Sequence, residues 1–228
     1  MAVVYRVFGY FGLFAIFAPL VYGFRSGETA SAGNFIYNLV LYAVFIAPHL
    51  VMTRSWFKQA VWKNPAGSPT ERQVFITISI LLWLAVLWLH EPLPGLALSF
   101  PGWLRFVGVV GFLFAFFMFF QGATTEAIDG LLGVPGSVSA YSHGPETPLF
   151  TEGAYASVRH PQYRAFIFAS LASLLVHPNL GQLFWALLLS GTFVAFVPVE
   201  EAQLIVARGD DYRQYMTRTP WRLFKGIW

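Results

Sequence analysis

The sequence predicts an all-α, polytopic transmembrane helix bundle of five or six spans, the last two forming a helical hairpin before a cytoplasmic C-terminal helical tail. Composition is the first reason: of the 228 residues, 57% are hydrophobic and only 11% are charged, against about 25% charged residues in a soluble domain. The second reason is that several charge-free runs approach the roughly 20 apolar residues that one spanning helix needs. Because no polar stretch is long enough to fold alone, we expect a single domain over residues 1–228.

Four spanning helices are predicted for the N-terminal part of this domain, residues 1–121, because four charge-free runs begin within it. No small-residue cleavage site follows the first run, so we expect a retained helix rather than a signal peptide. The four runs cover residues 7–24, 35–52, 73–90 and 106–125.

The remaining part, residues 122–228, contains a polar loop, the predicted hairpin and the tail. Its charge-free run, residues 165–199, is too long for one span and slightly short for two. The middle of this run, His177-Pro178-Asn179-Leu180-Gly181, has the residues of a turn. We therefore expect a tight helical hairpin, and whether both arms span fully decides between five and six crossings.

Lysine and arginine positions predict the orientation, because cytoplasmic loops carry an excess of both. With six crossings and the N-terminus inside, only Arg25 and Arg105 of the 14 basic residues lie outside. We expect an inner-membrane protein with both termini in the cytoplasm. Two non-spanning segments, residues 122–161 and 200–228, then share the cytoplasmic face, and the first is too long for a structureless loop, so we expect it to be functional or partly helical.

Several classes of function are disfavoured. The chain has no cysteine, hence no disulfide, thiolate metal site or cysteine nucleophile, and we predict no metal centre. The net charge of +3 comes from basic residues scattered at predicted membrane edges, so we expect no nucleic-acid partner. The predicted spans lack formal charges at mid-depth, which counts against a small transporter.

The densest polar cluster lies in residues 149–163, at the mouth of the hairpin. Pro161 suits the first turn of a helix, where its missing N–H costs nothing. Arg159 and His160 would then lie beside free backbone N–H groups at the positive end of the helix dipole, which makes an anion site. Positive-inside anchoring with an interfacial tyrosine belt explains the same residues equally well.

A pair of carboxylates, Glu200 and Glu201, comes directly after the predicted second arm. Adjacent carboxylates at a membrane boundary are costly unless they meet cations or water. The hairpin returns the pair to the level of Arg159 and His160, and the resulting pocket would suit a zwitterionic ligand with a carboxylate and an amino group. The alternative is a solvated helix start.

Further along the tail, Gly209 can end one helix, and Asp210 or Asp211 can cap the next. Tyr212 and Tyr215, three residues apart, would share one face of that short helix. These rings could pack on the bilayer interface, or they could line a site for a cationic or adenine-bearing ligand.

The motifs of the C-terminal third, in this order and spacing, resemble the signature of the isoprenylcysteine carboxyl methyltransferase superfamily of integral membrane enzymes. They are Gly153-x-Tyr155-x-x-x-Arg159-His160-Pro161-x-Tyr163, Glu200-Glu201-x-x-Leu204, and Gly209-x-x-Tyr212-x-x-Tyr215 followed by Pro220.

The N-terminal half is similar to the methanethiol S-methyltransferase and NnrU-like branch of that superfamily. The segments are Pro48-His49-Leu50-Val51-Met52-Thr53-Arg54, Phe57-Lys58, Glu71-Arg72 and Glu91-Pro92-Leu93-Pro94. Two positions depart from the superfamily pattern: Phe196 replaces an arginine of the carboxyl methyltransferases, and Ala165 replaces a favoured glycine. The first departure disfavours carboxyl methylation of prenylcysteine.

The resemblance implies a methyltransferase domain that uses S-adenosyl-L-methionine. Arg159, His160, Glu200 and Glu201 would hold the carboxylate and amino group of the cofactor, with Pro161 in the same motif. The walls around its adenosine and sulfonium would be Tyr155, Tyr163, Tyr212 and Tyr215.

The same resemblance leaves the methyl acceptor open. A small thiol is favoured (methanethiol, giving dimethyl sulfide), or another small lipophilic acceptor that enters from the membrane lipids. The alternatives are a larger prenylated or lipid acceptor and a non-catalytic NnrU-like membrane protein. The oligomeric state is not predicted.

A thiol acceptor must lose its proton, and His49 or His160 could take it near neutral pH. His49 and Arg54 lie near the cytoplasmic end of the second predicted helix. The predicted catalytic residues are therefore His49, Arg54, His160 and Glu201, with the identity of the base left open.

Overall fold

The computed structural model describes residues 2–24, 26–27, 31–63, 68–95, 98–121, 125–134 and 149–228. Most of these residues are helical, which confirms the all-α prediction. The helices are α1 (Ala2–Tyr22), α2 (Gly33–Met52), α3 (Ser55–Trp62), α4 (Pro69–Leu89), α5 (Gly102–Phe120), α6 (Thr125–Leu132), α7 (Pro161–Val176), α8 (Leu180–Arg208) and α9 (Asp210–Arg218). A 3₁₀ turn covers Gly153–Ala156, and two-residue strands β1 (Ser26–Gly27) and β2 (Leu93–Pro94) form a short ladder.

The chain divides into two compact units. Unit 1 comprises Met1–Tyr22, Gly27–Pro94 and Thr124–Thr147, and unit 2 comprises Gly23–Ser26, Gly95–Ala123 and Pro148–Trp228. The single domain expected over residues 1–228 stays a prediction.

Four of the described helices are long and apolar enough to cross a membrane, so the chain is a multi-pass membrane protein. They cover Gly33–Met52, Thr70–Leu89, Gly102–Phe120 and Leu180–Arg208. The first three match predicted runs closely, and the fourth is the second arm of the hairpin. Helix α1 corresponds to the first predicted run and α7 to the first arm, and the choice between five and six spans stays a prediction.

In unit 1, polar side chains fix both ends of α4. Ser68 caps α4, because its hydroxyl accepts a hydrogen bond from the backbone N–H of Glu71, with Pro69 at the first helical position. The fully buried Asn38 donates to the carbonyl of Glu91 at 2.9 Å and accepts from the N–H of the same residue at 3.0 Å. One side-chain amide thereby satisfies both backbone groups where the chain leaves α4.

Helix α6 confirms that the segment 122–161 is partly helical. It is held in unit 1 by the ion pair of Arg6 with the buried Asp129, in which Nε lies 2.9 Å from Oδ1, and by a hydrogen bond from the Gln73 amide to the carbonyl of Leu132. Residues 122–124 and 135–148 of the same predicted segment lie outside the described residues.

In unit 2, α5 packs closely along α7, and glycine permits the contact. A Cβ added at Gly108 would lie 2.9 Å from the carbonyl oxygen of Ala172, which is closer than a Cβ and a non-bonded oxygen normally approach each other. The predicted hairpin is confirmed: α7 ends at Val176, and Asn179 caps α8 by accepting from the N–H of Gln182 at 2.9 Å.

Helix α8 is longer than the predicted second arm of the hairpin, since it continues past residue 199 to Arg208 without a break. Glu200 and Glu201 therefore lie inside a helix and do not follow its end. Pro198 lies within α8, where it removes one backbone donor and crowds the carbonyl four residues earlier, yet the helix continues on both sides of it.

The start of α9 also differs in detail from its prediction. Gly209, at φ +55°, ends α8 as predicted and is itself the residue before α9. Asp210 and Asp211 occupy the first turn instead of the capping position, where their charge still favours the positive end of the helix.

Candidate active site

The site in unit 2 is built around the residues that precede α7. His160 immediately precedes the helix and Pro161 is its first residue, as predicted. The backbone N–H groups of Arg159 and His160 donate to the carbonyls of Trp221 and Arg222, both at 2.9 Å. The tail therefore runs alongside the motif and holds its main chain in place.

Glu201 is the centre of the cluster. Its Oε1 accepts from Arg159 Nε at 2.7 Å and lies 3.2 Å from His160 Nε2. Its Oε2 accepts from Arg222 Nε at 2.9 Å. Arg159, His160 and Glu201 are all buried. The Glu201 carboxylate is thus satisfied by three nitrogens, two from buried side chains and one from the partly exposed Arg222.

Arg159 is also engaged on its far side, because its Nη1 donates to the carbonyl of Thr219 at 2.8 Å. The guanidinium thus joins Glu201 of α8 to the chain that follows α9. Arg159 and Glu201 thus form a buried ion pair, and removing one partner of such a pair typically lowers the free energy of unfolding by about 3–5 kcal/mol.

Glu200 and Arg222 form the outer edge of the cluster. The side chain of Glu200 is 23% exposed, and its Oε2 lies 3.3 Å from His160 Nδ1. The side chain of Arg222 is 31% exposed, whereas that of Glu201 is only 3% exposed. An external ligand would therefore meet Glu200 and Arg222 before it could meet Glu201.

The charge state of His160 follows from these contacts. Burial by itself lowers the pKa of the imidazole, but hydrogen bonds to Glu200 and Glu201 outweigh burial and raise the pKa above its ordinary value. The protonated ring donates from both nitrogens, one to each carboxylate. Because both ring nitrogens face carboxylate oxygens, the site favours His160 as a cationic partner of Glu200 and Glu201. Catalytic roles for His160 and Glu201 stay predictions.

The four predicted tyrosines divide into two pairs. Tyr212 and Tyr215 are buried on one face of α9 as predicted, with ring centroids 5.8 Å apart, and Tyr215 Oη donates to the carbonyl of Tyr155 at 2.8 Å. Burial raises the pKa of both phenols, so both stay neutral. Tyr155 and Tyr163 are half-buried, and the Tyr163 ring stacks on His160 at 5.4 Å.

His49 belongs to unit 1, where its ring lies 4.8 Å from that of Phe75. His49 Nδ1 is 3.0 Å from Ser79 Oγ, and Ser79 donates its own hydrogen to the carbonyl of Phe75 at 2.7 Å. Ser79 Oγ can therefore only accept from Nδ1, which places the ring proton there. In the neutral ring, Nε2 then carries the lone pair of a base.

Arg54 lies between α2 and α3, and its carbonyl accepts the first hydrogen bond of α3 from the N–H of Lys58 at 3.0 Å. Lys58 is buried against Glu71, with Nζ 3.4 Å from Oε2. Catalytic roles for His49 and Arg54 stay predictions.

Unit 2 thus contains every predicted cofactor-binding residue: Tyr155, Arg159, His160, Pro161, Tyr163, Glu200, Glu201, Tyr212 and Tyr215. Arg222 was not predicted as a site residue. It lies two residues beyond Pro220, the last motif residue, and was used only as one of the basic residues that predict the membrane orientation. The available signal was a basic residue in a tail expected to face a carboxylate pair.

Comparison with known proteins gives relatives over most of the chain. Methanethiol S-methyltransferase 1 of Bradyrhizobium diazoefficiens is 30% identical over 213 residues, covering 86% of this chain and 70% of that protein. Methanethiol S-methyltransferase of Mycobacterium tuberculosis is 28% identical, covering 79% of this chain and 74% of that protein.

A shorter match joins the C-terminal motifs to the wider superfamily. Protein-S-isoprenylcysteine O-methyltransferase of Schizosaccharomyces pombe is 37% identical over 73 residues, covering 32% of this chain and 31% of that protein. No protein-family model and no solved structure matches the chain. With these relatives, the multi-pass helical fold and the convergence of Arg159 and His160 on Glu201, the chain belongs to the methanethiol S-methyltransferase family, within the isoprenylcysteine carboxyl methyltransferase superfamily of membrane enzymes.

Proposed function

We propose that this enzyme transfers a methyl group from S-adenosyl-L-methionine to the sulfur of a small thiol, with methanethiol as the acceptor and dimethyl sulfide as the product. The observation that carries the proposal is the ionic cluster on Glu201, with a carboxylate and a guanidinium at its edge, in a chain whose relatives are named for this reaction.

The residues fit the charges of the proposed cofactor, whose methionyl end carries one carboxylate and one ammonium. Glu201 already uses both of its oxygens within the cluster. Glu200 has a partly exposed carboxylate for the ammonium. Among the described residues, Arg222 binds Glu201 through Nε alone, which leaves its terminal nitrogens for the cofactor carboxylate.

The adenosine and the sulfonium would pack against aromatic rings. Tyr155 and Tyr163 can provide such rings, because both are half-buried and part of each side chain stays accessible. Tyr212 and Tyr215 are the inner wall, and they support Tyr155 through the hydrogen bond from Tyr215. Each of these tyrosines would also exclude water from the cofactor.

When bound, S-adenosylmethionine would supply a methyl group on a positively charged sulfur, from which an in-line nucleophile can take the methyl group while the neutral thioether leaves. The chain itself supplies position, because displacement depends on the alignment of donor and acceptor. The buried ion pair of Arg159 with Glu201 holds the cluster rigid. Glu200 and Arg222 orient the ligand at the edge of that cluster.

We assign His49 as the base, since Nε2 of its neutral ring has the lone pair, whereas both ring nitrogens of His160 face carboxylates. The proton leaves the thiol sulfur for His49 Nε2, and the electron pair stays on sulfur as the nucleophile. Arg54, two residues past the end of α2, is the proposed cation that stabilises the thiolate.

We also propose that the cluster faces the cytoplasm, with the chain in the inner membrane and both termini inside. Twelve of the 14 basic residues lie in segments that this orientation places in the cytoplasm. In this orientation the water-soluble cofactor reaches the site from the cytoplasm, and a small lipophilic acceptor would reach it from the bilayer.

A second candidate acceptor is a prenylated or lipid molecule, which the match to an isoprenylcysteine O-methyltransferase favours. That match covers only a third of the chain. Phe196 also stands where the carboxyl methyltransferases carry an arginine, so the small thiol is preferred.

The test is methyl transfer by the purified protein in nanodiscs. We expect methanethiol and S-adenosylmethionine to give dimethyl sulfide in the headspace, and Glu152→Gln, an exposed carboxylate in the same unit, to leave that rate unchanged. Methylation of a prenylcysteine analogue without dimethyl sulfide would favour the second candidate. No methylation of either acceptor would contradict the proposed activity.

A further inference from the structure

The segment 222–228 folds back on itself around one main-chain oxygen. The backbone N–H groups of Arg222, Leu223 and Phe224 all donate to the main-chain oxygen of Trp228, at 3.0, 3.0 and 3.1 Å. Three consecutive N–H groups on one oxygen form a nest. Gly226 permits the reversal, because its φ of +85° belongs to the left-handed region that other residues rarely adopt.

The ring of Trp228 is fixed by its surroundings. It packs against a buried apolar cluster of Ile167, Val197 and Leu223, contributed by α7, α8 and the tail. The guanidinium carbon of Arg222 lies 5.1 Å from the centroid of this ring, within the range of a cation–π contact.

Arg222 is therefore held from two sides. Its Nε is bonded to Glu201 Oε2 at 2.9 Å, and its guanidinium lies over the Trp228 ring. A free arginine side chain samples many rotamers and loses that freedom when it binds a ligand. An arginine that is already immobilised loses less, which favours binding.

We propose that Trp228 is a positioning residue that holds Arg222 beside Glu201 for the carboxylate of the methyl donor. The inference rests on the proposed function, because it assigns Arg222 to the cofactor. Trp228 itself touches no reacting atom and acts through Arg222 alone. Its side chain therefore sets cofactor affinity and leaves the rate of methyl transfer at saturation almost unchanged.

The test compares Trp228→Leu and Trp228→Met, which keep apolar bulk but lose the aromatic face, with Trp228→Phe, which keeps an aromatic face. The backbone nest is retained in all three. Ile227→Ala is the matched control, because that neighbouring side chain is exposed. The measurements are the Kd of S-adenosylhomocysteine by calorimetry, and kcat and KM with S-adenosylmethionine, in nanodiscs.

We expect Trp228→Leu and Trp228→Met to raise Kd and KM by about three- to tenfold with kcat within about twofold of wild type. Trp228→Phe should stay within about twofold of wild type in Kd. In an Arg222→Gln background the effect of losing the ring on Kd should vanish, because the interaction is already absent.

Three outcomes would overturn the inference while wild-type binding remained intact: an unchanged Kd in the variants without a ring, no recovery in Trp228→Phe, or an equal effect in the Arg222→Gln background. An absence of wild-type binding would instead sink the proposed function, and the positioning role with it. Two variants without the ring are used so that the result does not depend on the folding of either one.

Discussion

Arg159 and Glu201 are 42 positions apart in the chain and share a 2.7 Å hydrogen bond between Nε and Oε1 in a buried setting. The contact joins a residue two positions before the first hairpin arm, α7, to the C-terminal part of the second arm, α8. Glu200, which directly precedes Glu201, is partly exposed and lies 3.3 Å from the other side of the His160 ring. Adjacent carboxylates thus differ in surroundings, and we expect them to differ in role.

Glu201→Gln should destabilise the fold, because Arg159 and Arg222 would keep their charges in the cluster without a counter-charge. We expect the free energy of unfolding to fall by about 3 kcal/mol. Glu200→Gln should cost less than about 1 kcal/mol, as expected of a partly exposed pair. Unfolding by denaturant in detergent micelles measures both, and equal losses would contradict the division of roles.

The raised pKa of His160 predicts how stability depends on pH. A folded-state pKa above the unfolded value of about 6.5 adds stability that is fully present below that pH. This stability is lost as the pH rises through the folded-state pKa. Unfolding measured from pH 6 upward, in half-unit steps, should therefore show a decline in wild type that His160→Gln lacks. The same decline in both proteins would assign it to other groups.

His49→Gln should lower kcat with methanethiol, because the proton acceptor is lost while the shape of the side chain is largely kept. A positioned base contributes about 10²- to 10⁴-fold. The rate of the variant should recover as rising pH supplies thiolate from solution, and its Kd for S-adenosylhomocysteine should match wild type. An unchanged kcat at pH 7 would remove His49 from the reaction.

Ser79→Ala offers a finer test of the same base. Losing the hydroxyl removes the partner that places the proton on His49 Nδ1, so both ring tautomers become populated. We expect an intermediate loss of kcat, smaller than that of His49→Gln. A loss that exceeded that of His49→Gln would show that Ser79 acts by another route.

Gly108→Ala should destabilise unit 2, since the added Cβ would meet the carbonyl of Ala172 at 2.9 Å. Overpacking of this kind costs about 1–3 kcal/mol. Gly191→Ala in α8 is the matched control: nothing lies within 4 Å of its added Cβ, and helix propensity favours alanine. A similar loss in both variants would mean that the approach of α5 to α7 is not the cause.

The hairpin and the convergence of charges could be predicted because geometry limits the alternatives. A charge-free run with turn residues at its centre must reverse in the membrane, and the two ends of a hairpin return to the same level. Arg159 and His160 therefore had to approach Glu200 and Glu201 whatever the details of packing. Pro161 at the start of α7 followed from local backbone chemistry in the same way.

Other contacts could not be predicted, because no local sequence pattern indicates them. The tail after α9 has no hydrophobic period, so the pairing of Arg222 with Glu201 depends on a chain path that only tertiary packing determines. The ion pair of Arg6 with Asp129 likewise joins residues 123 positions apart. The continuation of α8 past residue 199 was missed because the predicted arm ended with its charge-free run, whereas a helix that leaves the membrane can continue through charged residues.

The most direct test of the central claim is calorimetric binding of S-adenosylhomocysteine to wild type, Glu200→Gln and Glu152→Gln in nanodiscs. If the edge of the Glu201 cluster holds the methionyl end of the cofactor, wild type and Glu152→Gln should bind equally. Glu200→Gln should then bind about tenfold more weakly at unchanged thermal stability. Wild-type affinity in Glu200→Gln, or no binding by wild type, would contradict the proposed site.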